Sequence, residues 1–281
     1  MNVYYEGVLA SMGINILLAL SAYAMLATDR LSLGNAGFMA IGAYVSSFLT
    51  VELGWNLYPA LAAGACAAAV TGALVGLPVL RLQGIYFVMG TLAFGEVVRT
   101  FFQNFEPTGG AYGMRGMSGT SLEMIAAFVA VFVLLFLAFE VSRAGRAAYA
   151  VRDDDQAARS IGINVTGARL LALVSGALIA GIAGALFAHY ALYIESGNFN
   201  FLVSANAVLF VILGGMQTFW GAVLGAVIFT LLPEALRFLA DWRLSAYGAL
   251  LVALMVLRPE GLLTRTFLIR LWRARSGRDA A

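Results

Sequence analysis

The sequence EVSRAGRAAYAVRDDDQAARSIGINVTGAR, residues 140–169, stands between two long apolar runs and holds five of the seventeen basic residues, all of which are arginine. Three acidic residues, Asp153, Asp154 and Asp155, precede the segment QAARSI, and Gly162 follows it. Carboxylates are favourable in the first turn of a helix, and glycine is common just after the last turn. We therefore predict a short, self-capped surface helix tethered between two membrane spans. Because a plain spacer needs no capping, this pattern suggests a docking element. A solvated loop whose arginines only fix topology is an equally good interpretation of these residues alone.

The composition is that of an integral membrane protein. Hydrophobic residues make up 62% and charged residues 11% of the 281 positions, and the mean hydropathy is +0.88, whereas soluble domains carry about 25% charged residues. A P-loop needs a lysine to reach the nucleotide phosphates, and the sequence has none, so we predict no Walker A ATPase site. The single cysteine, Cys66, leaves no intrachain disulfide or cysteine metal cluster. We expect no enzymatic activity, no cofactor or metal, and no nucleic-acid binding.

The apolar runs have the length of membrane spans, which need about 20 residues each. The fold class predicted from them is all-α, a polytopic transmembrane helix bundle of about 8–9 spans in a single domain over residues 1–281. The lower number applies if the seventh and eighth runs form a bent or re-entrant pair. The runs cover residues 7–27, 31–51, 59–80, 82–102, 124–139, 170–194, 201–217, 220–232 and 245–257.

The arginines predict which side of the membrane each connection occupies. Alternating nine spans places thirteen arginines on one side and leaves four on the other, namely Arg99, Arg115, Arg237 and Arg243. Cytoplasmic connections are enriched in basic residues. We therefore predict an outside N-terminus, a cytoplasmic segment over about residues 140–169, and a cytoplasmic basic tail over about residues 264–281.

Small residues and one short sequence match suggest helix packing and a repeat. Glycines at close spacing in the third and sixth runs predict close helix contacts. The sequences NAGFMAIG (35–42) and NAVLFVILG (206–214) are similar and lie in spans of opposite predicted direction. Inverted repeats are common in transporters, but we interpret a match this short, with unequal gaps, as chance.

Polar residues inside spans usually mark a pathway or a helix contact. We predict a translocation path with the residues Asn35, Gly37, Tyr86, Thr91 and Asn206. His189 is interpreted as a helix-contact or interfacial residue in preference to a proton relay. Glu96 and Arg99 have the spacing of a pair on one helical face, and Glu96 is expected near a span end. The absence of a mid-span acid argues against an ion-coupled secondary carrier.

Five motifs in chain order give the sequence a family resemblance. They are LSLGNAGFMAIGAY (31–44), GIYFVMGTLAFGEVVR (84–99), TGGAYGMRGM (108–117), LGGMQTFWGAVLGA (213–226) and RPEGLL (258–263). The chain resembles the permease subunits of branched-chain amino acid ABC importers, most closely the type usually called M. The resemblance implies a multi-pass permease of a bacterial or archaeal inner membrane that forms the path for leucine, isoleucine and valine.

The same resemblance implies partners and a coupling site. The partners are a second homologous permease subunit, two cytosolic ATP-binding subunits, an extracytoplasmic substrate-binding protein and membrane lipid. The central interval matches the family's docking segment, and it resembles the EAA-xxx-G pattern with glutamine in place of glutamate. The predicted coupling residues are Arg152, Asp153, Asp154, Asp155, Gln156, Ala157, Ala158, Arg159 and Gly162. Importers of urea or short amides use similar permeases, and the motifs do not separate them from leucine importers.

Overall fold

The computed structural model describes residues 3–257 and 261–263, most of them helical. The α-helices are α1 (Val3–Leu26), α2 (Asn35–Val51), α3 (Leu57–Val79), α4 (Ile85–Asn104), α5 (Leu122–Val141), α6 (Arg143–Asp153), α7 (Asp155–Ser160), α8 (Val165–Ala191), α9 (Phe201–Gly214), α10 (Phe219–Ala235) and α11 (Arg243–Leu257). Strands β1 (Met114–Arg115) and β2 (Tyr193–Ile194) pair antiparallel. The predicted basic tail of about residues 264–281 and Arg258 of the last motif lie outside the described residues.

The apolar helices correspond one to one with the nine predicted runs. Seven segments in the described part of the chain have the length and hydropathy to cross a membrane, and two shorter apolar helices, Asn35–Val51 and Ser245–Leu254, accompany them. The predicted all-α polytopic bundle is confirmed. The predicted count of about 8–9 spans is approximate, because seven segments of the described chain have spanning length and α2 and α11 are shorter.

The second helix begins later than predicted, at Asn35 instead of Leu31. The preceding backbone is held by side chains of other helices. The Leu33 N–H donates to Thr91 Oγ1 over 3.1 Å, and the Ala36 N–H donates to Ser204 Oγ over 2.8 Å. Thr91 lies in the middle third of α4. The start of α2 therefore lies within the bundle, at a depth that hydropathy alone does not reveal.

Helix α8 is the centre of the bundle and packs along α1, α2 and α3. Its glycines make this approach close, as predicted. A Cβ on Gly184 would fall on the Met39 carbonyl of α2, and a Cβ on Gly72 of α3 would lie 2.7 Å from Ala177 Cβ. Such backbone proximity is typical of membrane helix contacts made by small residues.

Connections gather at two ends of the bundle, and long-range contacts fix which connections share an end. At the basic end, defined by the connections over residues 27–34, 80–84, 142–164 and 215–218, Arg30 Nη1 donates to the Leu82 carbonyl over 2.9 Å. Residues 261–263 also lie there, since the Leu262 N–H donates to the Leu213 carbonyl. At the opposite end, β1 after α4 pairs with β2 after α8. This sorting agrees with the predicted alternation of helix direction.

Helices α1–α3 and α8–α10 are arranged reciprocally. Helix α8 packs along α2 and α3, while α1 packs along α9 and α10, and α1 packs along α8. In each triplet a long helix precedes a shorter one, and the two triplets run in opposite directions. The sequence match between residues 35–42 and 206–214 falls in the corresponding helices α2 and α9. This arrangement favours an inverted repeat over our interpretation of the match as chance.

Candidate functional site

The central polar interval forms two helices, α6 and α7, where one was predicted. Ser142 caps α6, since its Oγ accepts from the Gly145 N–H over 3.0 Å. Both helices turn an apolar side inward, and Val151, Ala158 and Val165 form a small buried cluster beside the main core. The interval is therefore a packed element at the basic end.

Helix α7 has the predicted self-capping. Asp154 Oδ1 accepts from the Gln156 N–H over 2.7 Å and from the Ala157 N–H over 3.0 Å. These two backbone hydrogen bonds hold the pKa of the Asp154 carboxyl below its usual range. After the last turn, Gly162 adopts a φ of +85°, which glycine accommodates without a Cβ penalty. The prediction of a short, capped helix at the surface is confirmed.

The three aspartates before α7 have different surroundings. The Asp155 carboxylate accepts from Arg169 Nη2, at 2.6 Å to each oxygen, and this pair ties α7 to the first turns of α8. Asp153 and Asp154 are exposed. Asp155 thus holds the element together from within, and the partner contact predicted for it stays a prediction.

A second link joins the interval to the α9–α10 turn. Arg152 Nη1 donates to the Met216 carbonyl over 2.9 Å. That turn is tight, because a Cβ on Gly214 would fall on the Gly221 carbonyl and one on Gly225 would fall on the Phe210 carbonyl. A displacement of α6 and α7 would therefore reach two regions of the bundle, α8 and the α9–α10 hairpin.

The remaining predicted coupling residues divide by exposure. Ala158 is buried, whereas Gln156, Ala157, Arg159 and Gly162 are exposed. Sequence reasoning missed Ile161, which is 73% exposed between the end of α7 and Gly162. Its position inside the EAA-like pattern was the available signal.

The structure brings three of the five predicted path residues together. Asn35 and Thr91 are 2% and 3% exposed, and a Cβ on Gly37 would lie 2.9 Å from Gly95 Cα. These residues lie where the start of α2 crosses α4. Tyr86, 69% exposed, and Asn206, also exposed, lie on surfaces away from this crossing.

Three buried polar side chains lie at this crossing or at another helix contact. Sequence reasoning missed Ser204, which is fully buried and accepts the Ala36 N–H. The Asn35 Nδ2 group is buried and has no hydrogen-bond partner among the described residues. His189 makes the predicted helix contact, with Nε2 3.0 Å from Thr50 Oγ1. No group of three or more His, Cys, Asp or Glu in the described ranges is arranged to hold a metal ion.

The position of Glu96 differs from the prediction. It lies eight residues before the last residue of α4, about 12 Å along the helix axis at 1.5 Å per residue, and so well inside the span. Arg99 Nε donates to Glu96 Oε2 over 2.7 Å, as the spacing predicted. An ionisable pair inside a span is the basis for a functional-site hypothesis, and α4 carries one.

Comparisons with known proteins agree with this architecture. The sequence model of the family described as "Branched-chain amino acid transport system / permease component" matches residues 4–258. The high-affinity branched-chain amino acid transport system permease protein LivM of Salmonella typhimurium is 31% identical over 295 residues, covering 92% of this chain and 68% of LivM. The autoinducer 2 import system permease protein LsrC of Enterobacter sp. strain 638 is 31% identical over 271 residues, covering 89% of this chain and 77% of LsrC. No solved structure matches the chain significantly.

Proposed function

This chain belongs to the family of branched-chain amino acid transport permease components, and from that premise we propose that it forms the translocation path for leucine, isoleucine and valine in an ATP-binding-cassette importer. It is a multi-pass membrane permease, and its relatives are transport components rather than enzymes. The observation that carries the proposal is the similarity to LivM along 92% of the chain. LsrC, an autoinducer 2 import permease, is as similar to this chain as LivM is in percentage identity. Similarity of this degree therefore does not by itself identify the substrate.

The proposed docking segment is residues 140–169, which would receive force from two cytosolic ATP-binding subunits. Exposed Arg159 and Ile161 offer a charge and an apolar side chain to a partner. Behind them, the pair of Asp155 with Arg169 and the bond from Arg152 to the Met216 carbonyl connect the segment to α8 and the α9–α10 turn. These links are what an externally driven permease needs, because the energy arises outside the chain.

The proposed mechanism is alternating access. ATP binding closes the ATPases, which displaces α6 and α7 and with them the helices that they contact. A cavity of about 610 Å³ between α5, α6 and α8, lined largely by apolar side chains such as Phe136, Ala148 and Leu171, leaves room for such a displacement. The permease itself makes and breaks no covalent bond. A loaded extracytoplasmic binding protein delivers the substrate to the opposite end, and a second homologous permease completes the path.

The proposed orientation places the basic end in the cytoplasm and the N-terminus outside. The connections at that end carry Arg30, Arg81 and the arginines of the central interval. Cytoplasmic connections carry an excess of arginine and lysine. The docking proposal requires the same orientation, since nucleotide-binding subunits work in the cytoplasm.

The proposed function is tested by reconstitution. The chain alone in liposomes is expected neither to hydrolyse ATP nor to concentrate leucine, isoleucine, valine or urea, with or without a proton or sodium gradient. Addition of the second permease, the two ATPases and the binding protein should restore ATP hydrolysis and branched-chain amino acid uptake together. Accumulation of urea alone would favour the urea or short-amide alternative. Gradient-driven accumulation by the lone subunit would favour an ion-coupled secondary carrier.

The docking role is tested by Arg159→Ala and Ile161→Ser. Both side chains are exposed, so we expect normal expression of the permease with weaker co-purification of the ATPases. Arg115→Ala, which alters an exposed arginine at the opposite end, is the matched control. Wild-type yields of the complex from both docking variants, with full transport, would contradict this assignment.

A further inference from the structure

One face of α4 carries a polar stripe that the path residues above do not include. Glu96, Arg99, Thr100 and Gln103 are spaced i, i+3, i+4 and i+7, which places them on one side of a helix. Thr100 and Gln103 are exposed, and the side chains of Arg99 and Glu96 are 32% and 37% exposed. The buried side of α4 is a different one, which packs against α2 through residues such as Gly95.

This stripe is unsuited to contact with lipid. A charged side chain at the centre of a membrane helix costs about 2.5–3.5 kcal/mol on insertion scales, and such residues almost always face the bundle interior or a water-filled cavity. The stripe lies at the edge of its own bundle: Glu96 borders a small pocket with Ala36 and Ser204, whereas Thr100 and Gln103 are exposed. Water must therefore reach it, as it would in a path between this chain and a second permease.

The ion pair leaves charged atoms available to a ligand. Arg99 and Glu96 are joined through Nε and Oε2 alone, at 2.7 Å. Within residues 3–257 and 261–263, Glu96 Oε1 and the two Nη atoms of Arg99 make no hydrogen bond. An α-amino acid is a zwitterion with one cation beside one anion. It can lie antiparallel to this pair, its ammonium on Glu96 and its carboxylate on the Arg99 guanidinium.

The same face of α4 becomes apolar toward the basic end. Met89, seven residues before Glu96, is 59% exposed, and Ala93 beside it is also exposed. An aliphatic side chain attached to a zwitterion bound at Glu96 and Arg99 would lie against these residues. Urea and short amides carry neither a pair of opposite charges nor a branched apolar group.

We propose that this face of α4 is the substrate-contacting wall of the path, with Glu96 binding the α-ammonium, Arg99 the α-carboxylate, and Met89 and Ala93 the branched side chain. The inference rests on the proposed function and adds to it the residues through which the path would recognise an α-amino acid. It also assigns a role to the GEVVR end of the second motif.

Charge neutralisation in the complete transporter tests the inference. In proteoliposomes with the second permease, ATPases, binding protein and ATP, Glu96→Gln and Arg99→Gln should each lower leucine uptake at least tenfold. Hydrolysis of ATP stimulated by the binding protein should persist. Glu106→Gln, at the exposed opposite end, is the control and should leave uptake unchanged.

The double variant Glu96→Gln/Arg99→Gln separates substrate binding from a structural ion pair. A structural pair is harmed by loss of one partner but tolerates loss of both, because no unpaired charge remains. Substrate binding predicts that the double variant stays at least tenfold impaired. Recovery of leucine uptake, unchanged uptake in the single variants, or loss of the second permease on purification would each overturn the inference alone. If the complete transporter with the unaltered chain takes up urea but not leucine, the proposed function is overturned as well.

Thiol accessibility supplies a readout independent of transport. In a Cys66→Ala background, Gln103→Cys on the stripe should react with a membrane-impermeant maleimide in the assembled complex. Val97→Cys, at a position 66% exposed on another side of α4, should not react. Failure of the Gln103 variant to react would show that the stripe does not face water, and equal labelling at both positions would show that the stripe is no more accessible to water than the other side of α4; either result would overturn the inference.

Discussion

Removal of the Asp155 carboxylate should weaken the docking of α7 on α8. In the native protein Arg169 donates to both Asp155 oxygens at 2.6 Å. The Arg169 side chain is only 10% exposed, whereas the Asp155 side chain is 36% exposed. Loss of one partner of a buried pair costs about 3–5 kcal/mol, whereas an exposed pair contributes about 0–1 kcal/mol. This pair has one buried and one half-exposed member. We therefore expect Asp155→Asn to destabilise the docking of α7 by about 1–3 kcal/mol.

Amide hydrogen exchange measures this change directly. A free-energy change of about 1–3 kcal/mol corresponds to a factor of about 5–150 in the local opening equilibrium, at 1.4 kcal/mol per tenfold. Peptides covering residues 155–161 should exchange faster by that factor, while those from the centre of α8 should be unchanged. Asp153→Asn removes a neighbouring exposed carboxylate and is the matched control.

The functional consequence should be uncoupling. Because Arg159 and Ile161 remain exposed, the ATPases should still bind and hydrolyse ATP, but less of their motion would reach α8. Leucine transported per ATP hydrolysed should therefore fall in Asp155→Asn. If exchange and coupling in Asp155→Asn equal those in Asp153→Asn, the reasoning that this pair anchors α7 is refuted.

Three other positions give sharp tests. Gly37→Leu should abolish uptake or assembly, because a Cβ there would already lie 2.9 Å from the backbone of α4. Gly7→Leu, where a Cβ would have nothing within 4 Å, is the control and should be tolerated. Normal uptake in both variants would contradict the contact at Gly37. Ser204→Ala should cost about 1–3 kcal/mol by leaving a buried N–H without its acceptor, and should lower the thermal midpoint of the purified complex, while exposed Ser245→Ala should not. Asp154→Ala should speed amide exchange in the first turn of α7, which Asp154→Asn should preserve. Hydrogen bonding lowers the pKa of Asp154, so its charged cap should persist below about pH 3.9, the ordinary aspartate pKa, and be lost as the pH falls through the folded pKa. Loss of amide protection well above pH 3.9 would contradict this account.

The sequence by itself determined the class, the order of the apolar helices and the capped segment. These features are local: the residues that specify α7, from Asp154 to Gly162, lie within one short stretch, and each apolar run carries its own hydropathy. The family motifs are equally local, and the comparisons confirm the resemblance that they predicted.

Tertiary structure alone decided where α2 begins, which partner Asp155 has and which face of α4 is left uncovered. The acceptor that holds the start of α2, Ser204, is 168 residues away from Ala36 in sequence, and no pattern within either helix indicates the pairing. The spacing of Glu96 and Arg99 predicted their pairing, but the direction in which the pair faces depends on which side of α4 packs against α2. Hydropathy selects the segments that enter the membrane, whereas backbone approach at glycines selects their neighbours, so the candidate site becomes visible only once the helices are packed.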